Sequence, residues 1–230
     1  MFNKILYQPI LGVLIFIYKY VAFHDLGVAI ILLTIFIRFL LLPFFYHGAK
    51  AQTKIQHLQP MVKKIQEDHK HDKEKQTQAL LDLYKEYEIN PFSSILLLVI
   101  QLPVLIALYQ VFLRGLSNAV FDNYNFLSLI NLNHKSFFIT LLAALAQYYQ
   151  GKLMLPNAGS GNQAADKANQ MMLLYMGPLL TLVVLSNLPS ALGVYWLVSS
   201  LFSVGQQIFI NKALAKQKHG TNIGENKKTS

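Results

Sequence analysis

Between positions 26 and 46 the chain runs 21 residues with a single charge, Arg38, and apolar runs of similar reach recur further along. A helix needs about 20 such residues to cross the hydrocarbon core of a bilayer. Inside that core backbone N–H and C=O groups find no water, so a spanning run must be helical. Hydropathy places five spans, at 26–46, 92–113, 136–155, 173–188 and 191–210, the last two parted by little more than Asn187-Leu188-Pro189. The expectation is an all-α integral membrane protein in one domain, because no polar stretch is long enough to hold a second core.

The distribution of charge orients this scheme. The net charge of +9 by itself would suit a nucleic-acid binder. Of the 20 Lys and Arg residues, however, fifteen fall in 47–90, the 152–170 loop and the tail after 210. Only Lys4, Lys19, Arg114 and Lys135 fall on the other side, and Arg38 lies within a span. Cytoplasmic loops carry the excess of Lys and Arg, so the N-terminus is expected outside and the C-terminus in the cytoplasm. Five spans require such opposite ends.

Two segments outside the spans have their own character. Residues 1–24 carry Lys4 and Lys19 around an apolar stretch too short to cross, interrupted by Gln8-Pro9. With Tyr7, Tyr18 and Tyr20 beside it, it is expected to lie at the interface as a helix, an uncleaved signal being the alternative reading. In 47–90, Ile55, Leu58, Val62 and Ile65 recur at heptad-like spacing, and Leu80, Tyr84 and Tyr87 repeat the pattern after His69-Lys70-His71. That predicts an antiparallel helical hairpin, bent at Pro60 and mobile, followed by a span capped at Asn90-Pro91.

Arg38 is the thirteenth residue of its span, roughly 3 Å past the midpoint at 1.5 Å per residue. A central arginine costs about 2.5–3.5 kcal/mol on insertion scales. Six or more apolar residues follow it, so reaching the headgroups is a long stretch; facing a water-filled cavity among the helices is the better reading. All eleven Asp and Glu residues lie in loops, helix ends or the hairpin, so no carboxylate is at hand to pair with it. Neutral polar groups are: Thr34 one turn away, Gln101 ahead of Pro103, Gln147 and Gln150, and on the fifth span Trp196, Ser199 or Ser200, Ser203 and Gln207 at helical spacing. Together they suggest a cavity wetted from the cytoplasm.

Enzyme signatures are missing. No H-E-x-x-H, G-x-S-x-G or phosphate-binding loop occurs, and with Cys at 0 there is no thiol chemistry, disulfide or thiolate metal site. His69 and His71 read as solvated turn residues rather than metal ligands. No catalytic residue, cofactor or metal is expected.

The motifs LTIFIRFLLLP (33–43), the stretch from LQPMVKK to IQLPVLIALYQVF (58–112), FLSLINLNHKS (126–136) and MMLLYMGPLLTLVVLSNLPSALGVYWLVSSLFSVGQQIFINKAL (171–214) carry a resemblance. The chain resembles the YidC/Oxa-type membrane protein insertases over nearly its whole length. The resemblance implies five core helices around a hydrophilic groove, open to the cytoplasm and laterally to lipid, with Arg38 at the position of the groove arginine. It also implies that substrate segments slide along 92–113 and 136–155 and that the hairpin helps recruit them. The expected groove set is Arg38, Thr34, Gln101, Gln147, Trp196, Ser200 and Ser203. Expected partners are nascent membrane proteins and the lipid bilayer, with the ribosome and the Sec translocon beside them and no direct nucleic acid. The protein is expected to work as a monomer in the bacterial plasma membrane. Neither the large extracytoplasmic domain of many Gram-negative relatives nor the lipobox cysteine of many Gram-positive ones is expected, and the tail 211–230 is short for ribosome anchoring. A small anion transporter or channel using Arg38 as its binding charge is the alternative, but no internal repeat supports it. A structural assembly factor is a third reading.

Overall fold

The computed structural model describes residues 3–90, 93–117, 121–155 and 164–226. The expected cap at Pro91, the middle of the 152–170 loop, and Lys227 and Lys228 lie outside the described residues. The chain opens with a π-helical turn (Asn3–Tyr7) that runs into α1 (Gln8–Tyr20). Asp25 then caps α2 (Leu26–Leu40), its carboxylate accepting the Val28 N–H at 2.9 Å.

The run 26–46, expected as one span, is broken. Helix α2 stops at Leu40 and α3 (Leu42–His57) starts after Leu41, with the two axes 71° apart. Pro43 is the cause. It has no N–H to give, and its ring would meet the carbonyl four residues back in a continuous helix. In the first turn of a new helix neither fault matters.

Beyond α3 the expected hairpin forms from α4 (Gln59–Asp68) and α5 (Lys73–Glu86), with the bend anticipated at Pro60 realised as a break at Leu58. Leu58, Val62, Leu83 and Ile89 are buried in its seam, flanked by Ile55, Ile65, Leu80 and Tyr84. Tyr87, expected in the seam, is exposed instead. Asp72 caps α5 by accepting the Lys75 N–H at 3.1 Å.

Helix α6 (Ser93–Ser117) holds Pro103 within it, and a small antiparallel ribbon follows, β1 (Asn125–Phe126) against β2 (Ile130–Asn131). Ser136 caps α7 (Phe137–Met154), and α8 (Ala164–Leu185) and α9 (Ser190–Asn226) complete the element order. Although α8 and α9 are joined by a four-residue turn, both pack chiefly on α7. Small residues on α7 permit the close approach: Ala143, Ala144 and Ala146 are buried, and Gly193 of α9 sits so near Ile139 that a Cβ there would lie 2.8 Å from its Cγ2.

The main core joins Leu14 and Tyr18 of α1, Leu26 to Leu33 of α2, Leu108 and Phe112 of α6, Ile139 and Ala143 of α7, and Leu192 and Tyr195 of α9. Helix α1 is therefore packed on the bundle along one face, while Phe16 and Tyr20 are exposed. Among the described residues, Ser190–Leu214 is long and apolar enough to cross a bilayer, and the bent pair α2 and α3 qualifies if taken as one span. Ile5–Tyr20, Gln101–Leu113 and Leu174–Leu185 are apolar but shorter.

Candidate functional site

A cavity of about 280 Å³ opens in the half of the bundle that leads toward the hairpin, lined by residues of α2, α3, α6, α7 and α9. Arg38 reaches it because α2 ends two residues later, so its side chain lies against the bend rather than inside a continuous helix. The guanidinium carbon stands 4.5 Å from the ring centroid of Phe45, and Nε donates to the Ser199 hydroxyl at 3.4 Å. Arg38 is only 8% exposed, and among the described residues lining the cavity it is the one charged side chain. A charge so placed keeps its attraction for an anion, because neither a hydroxyl nor an aromatic face neutralises it.

Around it the wall is neutral and polar. The Gln101 amide donates to the Tyr195 hydroxyl at 2.5 Å, fastening α6 to α9. Gln147 Oε1 accepts from the Trp196 indole at 3.3 Å and from the Thr181 hydroxyl, so one amide oxygen joins α7, α8 and α9. Gly177 leaves room for that amide, since a Cβ there would lie 3.2 Å from Gln147 Nε2. At the cavity edge Gln207 donates to Thr53 at 2.8 Å and to Asn211 at 2.9 Å, and Asn211 donates to the Leu153 carbonyl at 2.8 Å. Gln206 also lines the cavity, and its Oε1 is buried without a protein partner.

Six of the seven residues expected from sequence meet here: Arg38, Gln101, Gln147, Trp196, Ser200 and Ser203. Thr34 does not. It is buried, and its hydroxyl donates to the Ile30 carbonyl at 2.6 Å, a common use of a helical threonine. The open choice between Ser199 and Ser200 resolves to both, with Ser199 on the guanidinium. Phe45, Gln52 and Tyr195 were not anticipated. Tyr195 carries a signal that would have found it, one helical turn before Ser199; Phe45 does not, because only the bend brings it back over Arg38. No group of three or more His, Asp or Glu side chains suited to a metal occurs among the described residues.

A family model described as 60Kd inner membrane protein matches residues 16–218. A Clostridium tetani (strain Massachusetts / E88) protein named Membrane protein insertase YidC is 36% identical over 201 residues, 86% of each chain. A protein of the same name from Syntrophus aciditrophicus (strain SB) is 36% identical over 216 residues, covering 91% of this chain and 37% of that one. Another, from Nitratidesulfovibrio vulgaris (strain DP4), is 34% identical over 210 residues, with 88% and 38% covered. The chain thus spans most of the first relative and little more than a third of the other two. The match takes in Arg38 and every helix that lines the cavity, and on it the chain belongs to the 60Kd inner membrane protein family.

Proposed function

We propose that the protein is a membrane protein insertase in which the Arg38 cavity receives the polar tail of a nascent membrane protein. The observation that carries this reading is a buried guanidinium, the one charged group among the described residues lining the cavity, walled by neutral polar groups inside an apolar bundle of this family. A polar tail crossing hydrocarbon loses several kcal/mol for each group left unpaired. Gln101, Gln147, Gln206 and Ser203 offer such groups partners part of the way across. Arg38 attracts the acidic residues of the tail, and in a water-poor site that attraction is stronger than it would be in bulk water. The apolar segment of the substrate then partitions into lipid, and that step drives insertion downhill without nucleotide hydrolysis. The bias of Lys and Arg puts the hairpin and the cavity mouth on the cytoplasmic side.

The test is insertion of a two-span substrate with an acidic tail into liposomes holding this protein alone. Arg38→Ala is expected to slow it roughly ten-fold or more, a decade being about 1.4 kcal/mol of lost attraction. Arg38→Lys should keep much of the activity if charge rather than a planar fork is what counts. Unchanged insertion by the Ala variant would remove Arg38 from the mechanism. Ion flux without insertion would favour a channel.

A further inference from the structure

At the end of the bundle remote from the hairpin, two turns stand side by side with large apolar side chains on their tips. The first links α1 to α2, where Phe23 and His24 take left-handed backbone angles, φ 51° and 61°, and Phe23 is 93% exposed. The second is the tip of the β1–β2 ribbon, where Leu127 and Ser128 are also left-handed, φ 49° and 59°, and Leu129 is 83% exposed. Left-handed angles are rare for bulky residues and persist only where the surroundings impose them.

The surroundings here do impose them. Asp25 clamps both turns at once, one carboxylate oxygen accepting from Val28 and the other from Leu127 N–H at 2.6 Å. Leu129 N–H closes the ribbon turn on the Phe126 carbonyl at 2.9 Å. The Tyr18 hydroxyl accepts the Asn123 N–H at 2.9 Å, and Phe126 lies on Gly27 so closely that a Cβ there would run into its ring. Strain of this kind, held rigidly to display a phenylalanine and leucines outward, is not what a water-facing turn needs; glycine or asparagine would relax it.

We propose that residues 20–24 and 127–129 form a joint anchor that sets Phe23 and Leu129 into the bilayer leaflet at this end of the bundle. The proposal rests on the reading that the chain spans a membrane. Lipid, rather than a protein partner, is the occupant because exposed apolar rings stand close by along both elements: Phe16, whose ring lies 5.2 Å from that of Tyr20, and Phe137 and Phe138 in the first turn of α7. Tyr20 and Lys19, both exposed beside Phe23, supply the amphipathic ring and the cation that headgroups favour. The FLSLINLNHKS motif thus has a use of its own, apart from the cavity. It also ties depth to function, since Arg38 lies 12 residues along α2 from Leu26, roughly 18 Å at 1.5 Å per residue.

The chain has no cysteine, so single labels go in without removing one. Nitroxides are placed at Phe23→Cys and Leu129→Cys in the full chain, reconstituted in phosphatidylethanolamine and phosphatidylglycerol vesicles. A label at Leu180→Cys on the exposed face of α8 serves as the hydrocarbon control, and one at Lys75→Cys on the hairpin as the aqueous control. Both test labels are expected to collide with oxygen in preference to a water-soluble nickel chelate, as the α8 label does. Collision with the chelate at the level of the hairpin label would overturn the anchor while leaving the membrane reading intact. Shielding from both reagents would also overturn it, by showing a protein surface over the tips. An aqueous signal from the α8 label as well would bring down the membrane reading itself.

Discussion

Arg38 keeps its charge among partners that hold its position without cancelling it. Phe45 and Ser199 both do this, the aromatic face contributing about 0.5–2 kcal/mol for a cation over a ring. Phe45→Leu is therefore expected to lower stability by that amount in a thermal melt of the detergent-solubilised protein. In an Arg38→Ala background the same change should cost much less, the two effects being non-additive. Gly27 gives a sharper case. A methyl there would press into the Phe126 ring, so Gly27→Ala should destabilise by about 1–3 kcal/mol, with Phe126→Ala partly restoring it in the same melt. At this scale the cavity was largely legible, because polar side chains on apolar helices have few uses other than lining one. Thr34 stands apart from the cavity because a hydroxyl can satisfy itself on its own helix, which a glutamine amide or an indole does less readily.

Among the elements, the clearest dependence is the one oxygen of Gln147 on which three helices converge. Gln147→Leu would leave the Thr181 hydroxyl and the Trp196 N–H without that acceptor, and a loss of about 1–3 kcal/mol in the same melt is expected. The hairpin has a pH dependence of known sign. Asp72 is exposed, and its carboxylate is held below the ordinary carboxylate range first by the Lys75 backbone N–H and then by the Lys75 ammonium at 3.1 Å. A depressed carboxyl stabilises the fold above its unfolded value, and that contribution fades as pH falls through the lower folded value. Amide protection at the start of α5, taken relative to the intrinsic exchange rate at each pH, should therefore fall only below the ordinary carboxylate range, and Asp72→Asn should remove the transition. The hairpin seam could be read from the heptad spacing and the turn of 186–189 from Asn187-Leu188-Pro189. The break at Leu41 could not, because hydropathy scores a kinked apolar run and a straight one alike. Nor does periodicity say that α7, rather than α9, is the neighbour of α8; Gly151 of α7 beside Leu174 and Gly177 of α8 beside Gln147 mark where those two helices meet.

Across the whole molecule the polar cavity and the apolar core divide the same helices between them. Leu26 to Leu33, Ile139 and Leu192 seal one end, while the residues beyond them on α2, α7 and α9 open the other. The 71° bend then has a consequence for the surrounding lipid. Helix α2 has 15 residues and so rises only about 22 Å, and past the bend α3 adds about 0.5 Å per residue along the same axis. On the reading that the bent pair spans a membrane, a bilayer about 30 Å thick in hydrocarbon is expected to thin beside this edge of the protein. Hydrophobic mismatch of this kind shortens the apolar path left for a polar tail and stores elastic strain in the lipid rather than in the chain. Insertion rates measured in vesicles whose acyl chains run from about 14 to 22 carbons should fall as the bilayer thickens, with Arg38 and its cavity unchanged.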